Sequence, residues 1–371
     1  MSHSILLTGV SGYLGGSLLA QIGNPDPLPA YKKLFALVRT DAQAAAVRTY
    51  GAEPLRIDVK DPAAVKTALL EHDITVVFFL IDALNADTQA HFIDALAAVK
   101  AKLSAQGEKS PAAGGGAEVT VHFLHTSGAK IFSSHAGAPT AGPLFDDDPA
   151  LHDLQKAQRP VVPLLAPAIA ANTSVVEHAE TRGVRSYVFV PCIVYGRGRG
   201  FGNRISIQTV AIVKAARAAR RVYAVDDETT APAVWPVCHI DDNTGLYLAL
   251  LGAILAGRDP ASGPHGYYLA SSGSVRWGDL YAAMALRLAE KGIVDDAAVV
   301  PAAGDVEVLT KMGNGLGCPP ELVALNLGGR CTFTARHGGA ELGWIPRFKP
   351  EHILETAAEE VDLILENLAE P

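Results

Sequence analysis

The sequence predicts an α/β protein, a doubly wound parallel sheet with a smaller C-terminal lobe, on three observations. Short apolar runs of strand length (residues 5–7, 34–38, 75–81 and 186–190) alternate with segments of helical spacing. Continuous apolar runs are what strands buried on both faces of a parallel sheet require. Residues 5–16 read Ile-Leu-Leu-Thr-Gly-Val-Ser-Gly-Tyr-Leu-Gly-Gly, an apolar strand that breaks into glycines and resumes as a helix. The length, 371 residues, accommodates such a sheet and a second lobe.

In that first turn Gly9 allows a sharp exit from the strand, Gly12 lets backbone approach phosphate oxygens, and Gly15 permits close helix-on-strand packing. The helix N-terminus adds unsatisfied N–H groups and a positive dipole end, so the turn suits a dinucleotide pyrophosphate. Ser11, Tyr13 and Leu14, between the glycines, join the candidate cofactor contacts. The Thr-Gly-x-x-Gly-x-x-Gly spacing resembles the short-chain dehydrogenase/reductase superfamily in its extended or atypical branch, epimerase- and dehydratase-like, with NmrA-like redox sensors nearby. The resemblance implies a Rossmann domain over residues 1–195 with a return segment at about 232–262, and a mostly substrate-binding lobe over 196–371.

Composition narrows the class. Hydrophobic residues make up 49% and charged residues 19%, which fits a packed enzyme rather than a disordered or fibrous chain. A net charge of −8 with no long basic run argues against a general nucleic-acid surface. Four cysteines without a C-x-x-C pattern indicate neither a disulfide framework nor a metal site, and fit a reducing compartment. No basic segment precedes the first apolar strand, and the longest apolar helix candidate, residues 246–256, is too short to span a bilayer. The expectation is a cytoplasmic monomer or homodimer with a small-molecule substrate and no metal, membrane or nucleic-acid partner.

Residues 23–29 form a breaker cluster and therefore a loop, and the second strand, 34–38, ends at Arg39. An arginine there can pair with a 2′-phosphate where an acidic residue would accept ribose hydroxyls, so Arg39 favours NADP(H) over NAD(H). The alternative is a solvated charge at a helix start. Residues 53–59 read as a third strand ending in Asp58, and the resemblance makes Asp58 and Val59 the pair at the adenine ring; Asp58 as a cap of the helix over 61–71 is compatible. The fourth strand, 75–82, places Leu80 and Ile81 near the nicotinamide ribose by position. A helix over 88–102 and a glycine-rich flexible loop over 105–118 follow.

The fifth strand, 119–128, ends in hydroxyl residues, and the resemblance gives Thr126 or Ser127 the substrate carbonyl. Residues 128–132 depart from the Ser-x-x-Val-Tyr of relatives, since the usual serine falls on Gly128. Residues 133–167 read as a long irregular loop near the site, with residues 146–148 a solvated turn or cap. The helix over 168–182 should carry Tyr-x-x-x-Lys, but Ile169 and Thr173 stand there, and no tyrosine in the chain has a lysine four residues later. The sixth strand, 186–196, closes like the superfamily's R-P-x-x-V-Y-G. That implies backbone around Pro191, Ile193 and Val194 at the nicotinamide carboxamide, with Tyr195 opening the substrate pocket and Cys192 a small filler.

Phe201 and Asn203, in the glycine-rich segment over 196–203, are substrate candidates; Arg197 and Arg199 are either anion ligands or solvated charges. After a helix over 205–221, residues 235–242 resemble a return strand whose acidic pair, Asp241 and Asp242, caps a helix. His239 lies near the cleft. From 266 onward the chain resembles the small C-terminal domain, with a first helix over 274–289 and a last over 351–368 that has one apolar face.

The expected activity is that of an atypical NADP(H)-dependent oxidoreductase or isomerase on a small organic carbonyl or alcohol, its acid/base group drawn from Ser127, Lys130, His135 or Tyr195. A non-catalytic NmrA-like redox sensor is the rival from another class. Redox-neutral lyase or isomerase chemistry is the third possibility.

Overall fold

Seven strands form the central sheet: β1 (Ser4–Leu7), β2 (Lys33–Leu37), β3 (Glu53–Leu55), β4 (Ile74–Phe79), β5 (His122–Thr126), β6 (Arg185–Pro191) and β7 (Tyr267–Ala270). Their order is β3-β2-β1-β4-β5-β6-β7, and every neighbouring pair is parallel. The order reverses between β1 and β4, the switch point at which open α/β sheets form a crevice beyond their strand ends. The computed structural model describes residues 2–23, 28–107, 119–226, 231–302 and 304–368. Residues 24–27 of the expected first loop and 108–118 of the expected glycine-rich loop lie outside the described residues.

Strand alternation divides the apolar residues into two cores. Ile5, Leu7, Val76, Phe78 and Leu124 face one side with α1 (Tyr13–Ile22) and α2 (Asp41–Arg48), while Leu6, Val77, Phe79 and Phe123 face the other with α3 (Pro62–Glu71) and α4 (Asp87–Ala105). Val175 and Ala179 of α5 (Ala166–Thr181) pack in the second core. Helix α6 (Gln208–Ala219) and helix α7 (Ile240–Leu255) add to the first, and α7 lies against α1.

Beyond β6 the chain builds a second sheet from Ile193–Tyr195, Val234–His239 and Gly273–Arg276, with the central strand parallel to the first and antiparallel to the last. The longer helices on this side are α8 (Trp277–Glu290), α9 (Val306–Leu316) packed on α6, and α10 (Ala357–Asn367) packed on α8.

The structure differs from the sequence expectation at several points. Residues 267–270, read as part of the C-terminal lobe, form the seventh strand of the central sheet, pairing Tyr267–Ala270 with Val188–Pro191. The third strand ends at Leu55, three residues short of Asp58, and its helix is capped by Asp61, which accepts from the N–H groups of Ala63 at 2.9 Å and Ala64 at 3.3 Å. The cap of α7 is the His239 ring, Nδ1 accepting from Asp241 N–H at 3.2 Å, rather than the acidic pair. Residues 133–167 contain a helix, Leu151–Ala157, and a short strand, Leu144–Phe145, that pairs with Phe333–Thr334. Asp146 is buried, not solvated: its carboxylate accepts from Leu269 N–H at 3.1 Å, Arg336 N–H at 2.6 Å and His337 N–H at 3.0 Å, joining that segment to β7 and the C-terminal part of the chain. The last helix is interrupted at Thr356.

Candidate active site

The glycine turn follows directly from β1. Thr8 fixes it, its hydroxyl accepting from Leu80 N–H at 2.8 Å and its own N–H bonding Phe78 O at 3.0 Å, so the ends of β1 and β4 are tied together. Gly9 has φ +67°, and a Cβ there would stand 2.7 Å from Leu80 O; one on Gly15 would stand 2.3 Å from Gly9 O. Both positions exclude a side chain for reasons internal to the chain. Gly12 is different: it has φ −83° and ψ 172°, which any residue adopts, and a Cβ would meet only Gly9 O, at 3.1 Å. The space above Gly12 is therefore open, and no side chain caps α1. An open backbone surface at an uncapped helix N-terminus matches what a pyrophosphate needs, so the residues present fit a dinucleotide.

Leu80 lies against Gly9, and Ile81 beside it is largely exposed. Arg39 is exposed just past β2; its N–H bonds Gln43 Oε1 at 2.8 Å, and its guanidinium has no partner among the described residues. The carboxylate of Asp58 accepts from Lys60 N–H at 3.0 Å, and Val59 O is 3.1 Å from His91 Nδ1.

A pocket of about 350 Å³ opens at the C-terminal ends of β5 and β6, bounded on one side by Tyr13 and Leu14 at the start of α1. Residues 126–131 supply its floor, and Pro191, Cys192 and Val194 another wall. Two neighbouring hydroxyls differ here. Thr126 Oγ1 is 2.9 Å from the OH of Tyr247, whose ring stacks on Phe189 at 3.5 Å, whereas the buried Ser127 Oγ has no partner. Lys130 reaches the same pocket from the next turn, and its Nζ donates to Asn326 Oδ1 at 3.0 Å. Desolvation lowers the Lys130 ammonium from its ordinary 10.5 to about 8, against a smaller opposing effect of Cys318. Cys192 donates to Ala270 O at 3.1 Å, and burial pushes its thiol well up, so it is not a nucleophile at neutral pH.

Of the sequence-derived site residues, Tyr13, Leu14, Thr126, Ser127, Lys130, Pro191 and Val194 share this pocket. The others do not. His135 lies on the adjoining loop with Nε2 3.0 Å from Gly328 O, a brace to the C-terminal part of the chain. Ile193 is fully buried, pairing with Val237. Tyr195 points to the opposite side of its strand from Val194, into a larger cavity of about 840 Å³ that it lines with His239, His352 and Glu360. Its OH is 3.1 Å from His352 Nδ1, and burial raises the phenol well above its usual range. That cavity is bounded by Ala20, in the last turns of α1, and by the ends of two second-sheet strands, not by the ends of the central-sheet strands. Asn203 is exposed, its side chain bonded to Ile205 N–H and O at 3.1 Å each, and Phe201 packs near Tyr50 at 6.3 Å.

The intervening segment clasps the glycine turn. Tyr13 OH donates to Gly196 O at 2.6 Å, and Asn203 N–H donates to Ser11 O at 2.9 Å. Arg199 forms a two-point pair with Asp241 at 2.8 and 2.7 Å, and Arg197 pairs with Glu366 at 3.1 Å. The pocket residues that sequence reasoning missed include Leu84, Ser206 and Ile207. A serine two residues ahead of a helix was the available signal for Ser206; the exposed leucine and isoleucine carried none.

Fold and glycine turn together define a Rossmann-type α/β protein whose open backbone fits a dinucleotide. The chain belongs to the NAD dependent epimerase/dehydratase family, matched over residues 5–261. Its fold is similar to UDP-glucose 4-epimerase from Thermotoga maritima, solved with UDP-glucose (16% identity over 98% of this chain and 99% of that one, TM-score 0.59). It is also similar to dTDP-glucose 4,6-dehydratase from Streptomyces venezuelae, solved with NAD (14% identity, 98% and 97% coverage, TM-score 0.61). A third similar fold is that of vestitone reductase from alfalfa, Medicago sativa (14% identity, 97% and 98% coverage, TM-score 0.54). No curated protein matches the chain. Among the described residues no helix is long and apolar enough to cross a membrane, and no cluster of side chains is suited to a metal ion.

Proposed function

We propose that this protein is an NADP(H)-dependent oxidoreductase or isomerase acting on a small organic carbonyl or alcohol, with Ser127 and Lys130 doing the work that Tyr and Lys do in relatives. The observation that carries the reading is the convergence of an unpartnered Ser127 hydroxyl and the Lys130 ammonium in the pocket that begins at Tyr13 and Leu14. The dinucleotide would rest on backbone at 9–15, with Arg39 toward the adenosine 2′-phosphate and Asp58 and Val59 toward the adenine. When bound, it supplies or accepts hydride. Ser127 would hydrogen-bond the substrate oxygen. Lys130, held by Asn326 and partly desolvated, would donate a proton there or balance its negative charge. The partition into residues 1–195 with a return segment at 232–262, and a mostly substrate-binding 196–371, is part of the same proposal.

The sensor reading draws support from one observation. Ile169 is buried in the core and Thr173 turns its hydroxyl to Ala170 O at 3.1 Å on its own helix, so neither can relay a proton. The discriminating experiment follows NADPH oxidation across a panel of ketones and aldehydes in the parent protein and in Lys130→Met. Turnover that falls by roughly 10²-fold in the variant supports the enzyme. Dinucleotide binding with no turnover on any panel member supports the sensor.

A further inference from the structure

We propose that the pocket at the end of β5 takes an uncharged, largely apolar carbonyl compound and discriminates against nucleotide sugars, with Ser206 as a second anchor for the substrate oxygen; this rests on the site assigned under the proposed function. Ser127 and Ser206 are only 6% and 4% exposed, both line this pocket, and neither hydroxyl has a hydrogen-bond partner. A buried hydroxyl left unpaired is costly, and two of them facing one cavity call for an oxygen supplied from outside the chain. Ser206 comes just before α6, whose N-cap position is held by Ile207 with no side-chain cap, so its first-turn N–H groups favour electron-rich oxygen on the same side.

Most of the remaining wall is apolar, with Leu84, Ile131, Leu165, Ile207 and Trp235, while Gln208 and Thr126 are polar and the Thr126 hydroxyl is already bonded to Tyr247. Leu84 and Ile207 are 55% and 71% exposed at the pocket, apolar surface that a ligand of like character would cover. Lys130 is the one cationic side chain among the described pocket residues, and it is already bonded to Asn326. A sugar nucleotide brings a diphosphate, whose charge needs several cationic or N–H donors. At about 350 Å³ the pocket is at the small end for ligand sites, and under the proposed function the reactive end of the dinucleotide would share it.

The test is calorimetric titration of the full chain, saturated with dinucleotide, using 4-phenylbutan-2-one and UDP-glucose as probes. The ketone is expected to bind at least about tenfold more tightly than UDP-glucose, the weight of one net hydrogen bond or more. Ser206→Ala is expected to weaken the ketone by roughly tenfold without lowering the melting temperature, since it removes a hydroxyl that bonds nothing in the protein. Ile207→Glu, at an exposed position, is expected to weaken the ketone further. UDP-glucose binding as tightly as the ketone would overturn the inference. Neither probe binding while the dinucleotide titrates normally would overturn it too, and leave the proposed cofactor site standing; failure of the dinucleotide itself would remove both.

Discussion

The Nζ of Lys130 lies 3.0 Å from Oδ1 of Asn326, an acceptor almost two hundred residues later in the chain. Asn326 is oriented in turn by its amide, which donates to Leu322 O at 3.1 Å. This bond joins the turn after β5 to the C-terminal lobe and holds the ammonium at the pocket. Because burial brings Lys130 to about 8, the protonated form predominates below that value and disappears above it. Turnover that uses this proton should therefore fall as pH rises through about 8, the limb being absent in Lys130→Met. Asn326→Leu removes the acceptor of the ammonium and should shift the same limb to lower pH. The pH profile of kcat in the three proteins checks this.

Arg39 should set cofactor choice. Its guanidinium has no partner among the described residues and stands just past β2. One charge-assisted pair to a 2′-phosphate is worth roughly 1.5–3 kcal/mol. NADPH should bind more tightly than NADH by that margin, and Arg39→Ala should mostly erase the difference. Fluorescence titration with both cofactors measures it, and equal affinities in the parent protein contradict the assignment.

Acid should loosen the sheet through its buried histidines. His3 Nδ1 lies 2.9 Å from Thr75 Oγ1, and His122 Nδ1 lies 2.9 Å from Tyr187 OH. Desolvation lowers His3 and His125 from 6.5 to about 4 and lowers His122 well below 6.5. In each case the unfolded chain binds the proton first, so the stabilisation is complete above 6.5 and declines as pH falls; for His3 and His125 it is lost toward 4. A shift from 6.5 to about 4 corresponds to roughly 3 kcal/mol at 1.36 kcal/mol per pH unit. Urea midpoints should decline between pH 6.5 and 4, and His125→Leu should have a shallower decline than the parent.

Gly9 and Gly12 should respond differently. Gly9→Ala forces a side chain at φ +67° against Leu80 O and should destabilise the fold by roughly 1–3 kcal/mol, read as a lower urea midpoint. Gly12→Ala should leave the midpoint nearly unchanged.

Much of this architecture is legible from local pattern. Buried strands declare themselves as apolar runs, and β1 with its glycine turn combines three local signals: strand, breaker and helix. The site is less legible because it depends on partners distant in sequence. His135 and Lys130 look equivalent in the sequence, yet one bonds Gly328 O and the other faces the pocket, a difference made by contacts almost two hundred residues away. Val194 and Tyr195 are separable in principle, since strand alternation sends neighbours to opposite sides, and here they line different cavities. Asp146 reads as one of three solvated acids until the backbone of 269, 336 and 337 folds around it. Tyr267–Ala270 is as apolar as any central strand, but nothing local says which sheet it joins.

Under the proposed function the turn at Gly12 carries a nicotinamide dinucleotide above an open stretch of backbone. Calorimetric titration of the intact protein with NADPH, beside Gly12→Val, tests it most directly. Binding in the parent, its loss in the variant, and melting temperatures that stay close together are the expected results, because the added side chain projects into ligand space and its Cβ meets only Gly9 O, at 3.1 Å, within the protein. No heat of binding from any nicotinamide dinucleotide, or undiminished binding in Gly12→Val, would contradict it.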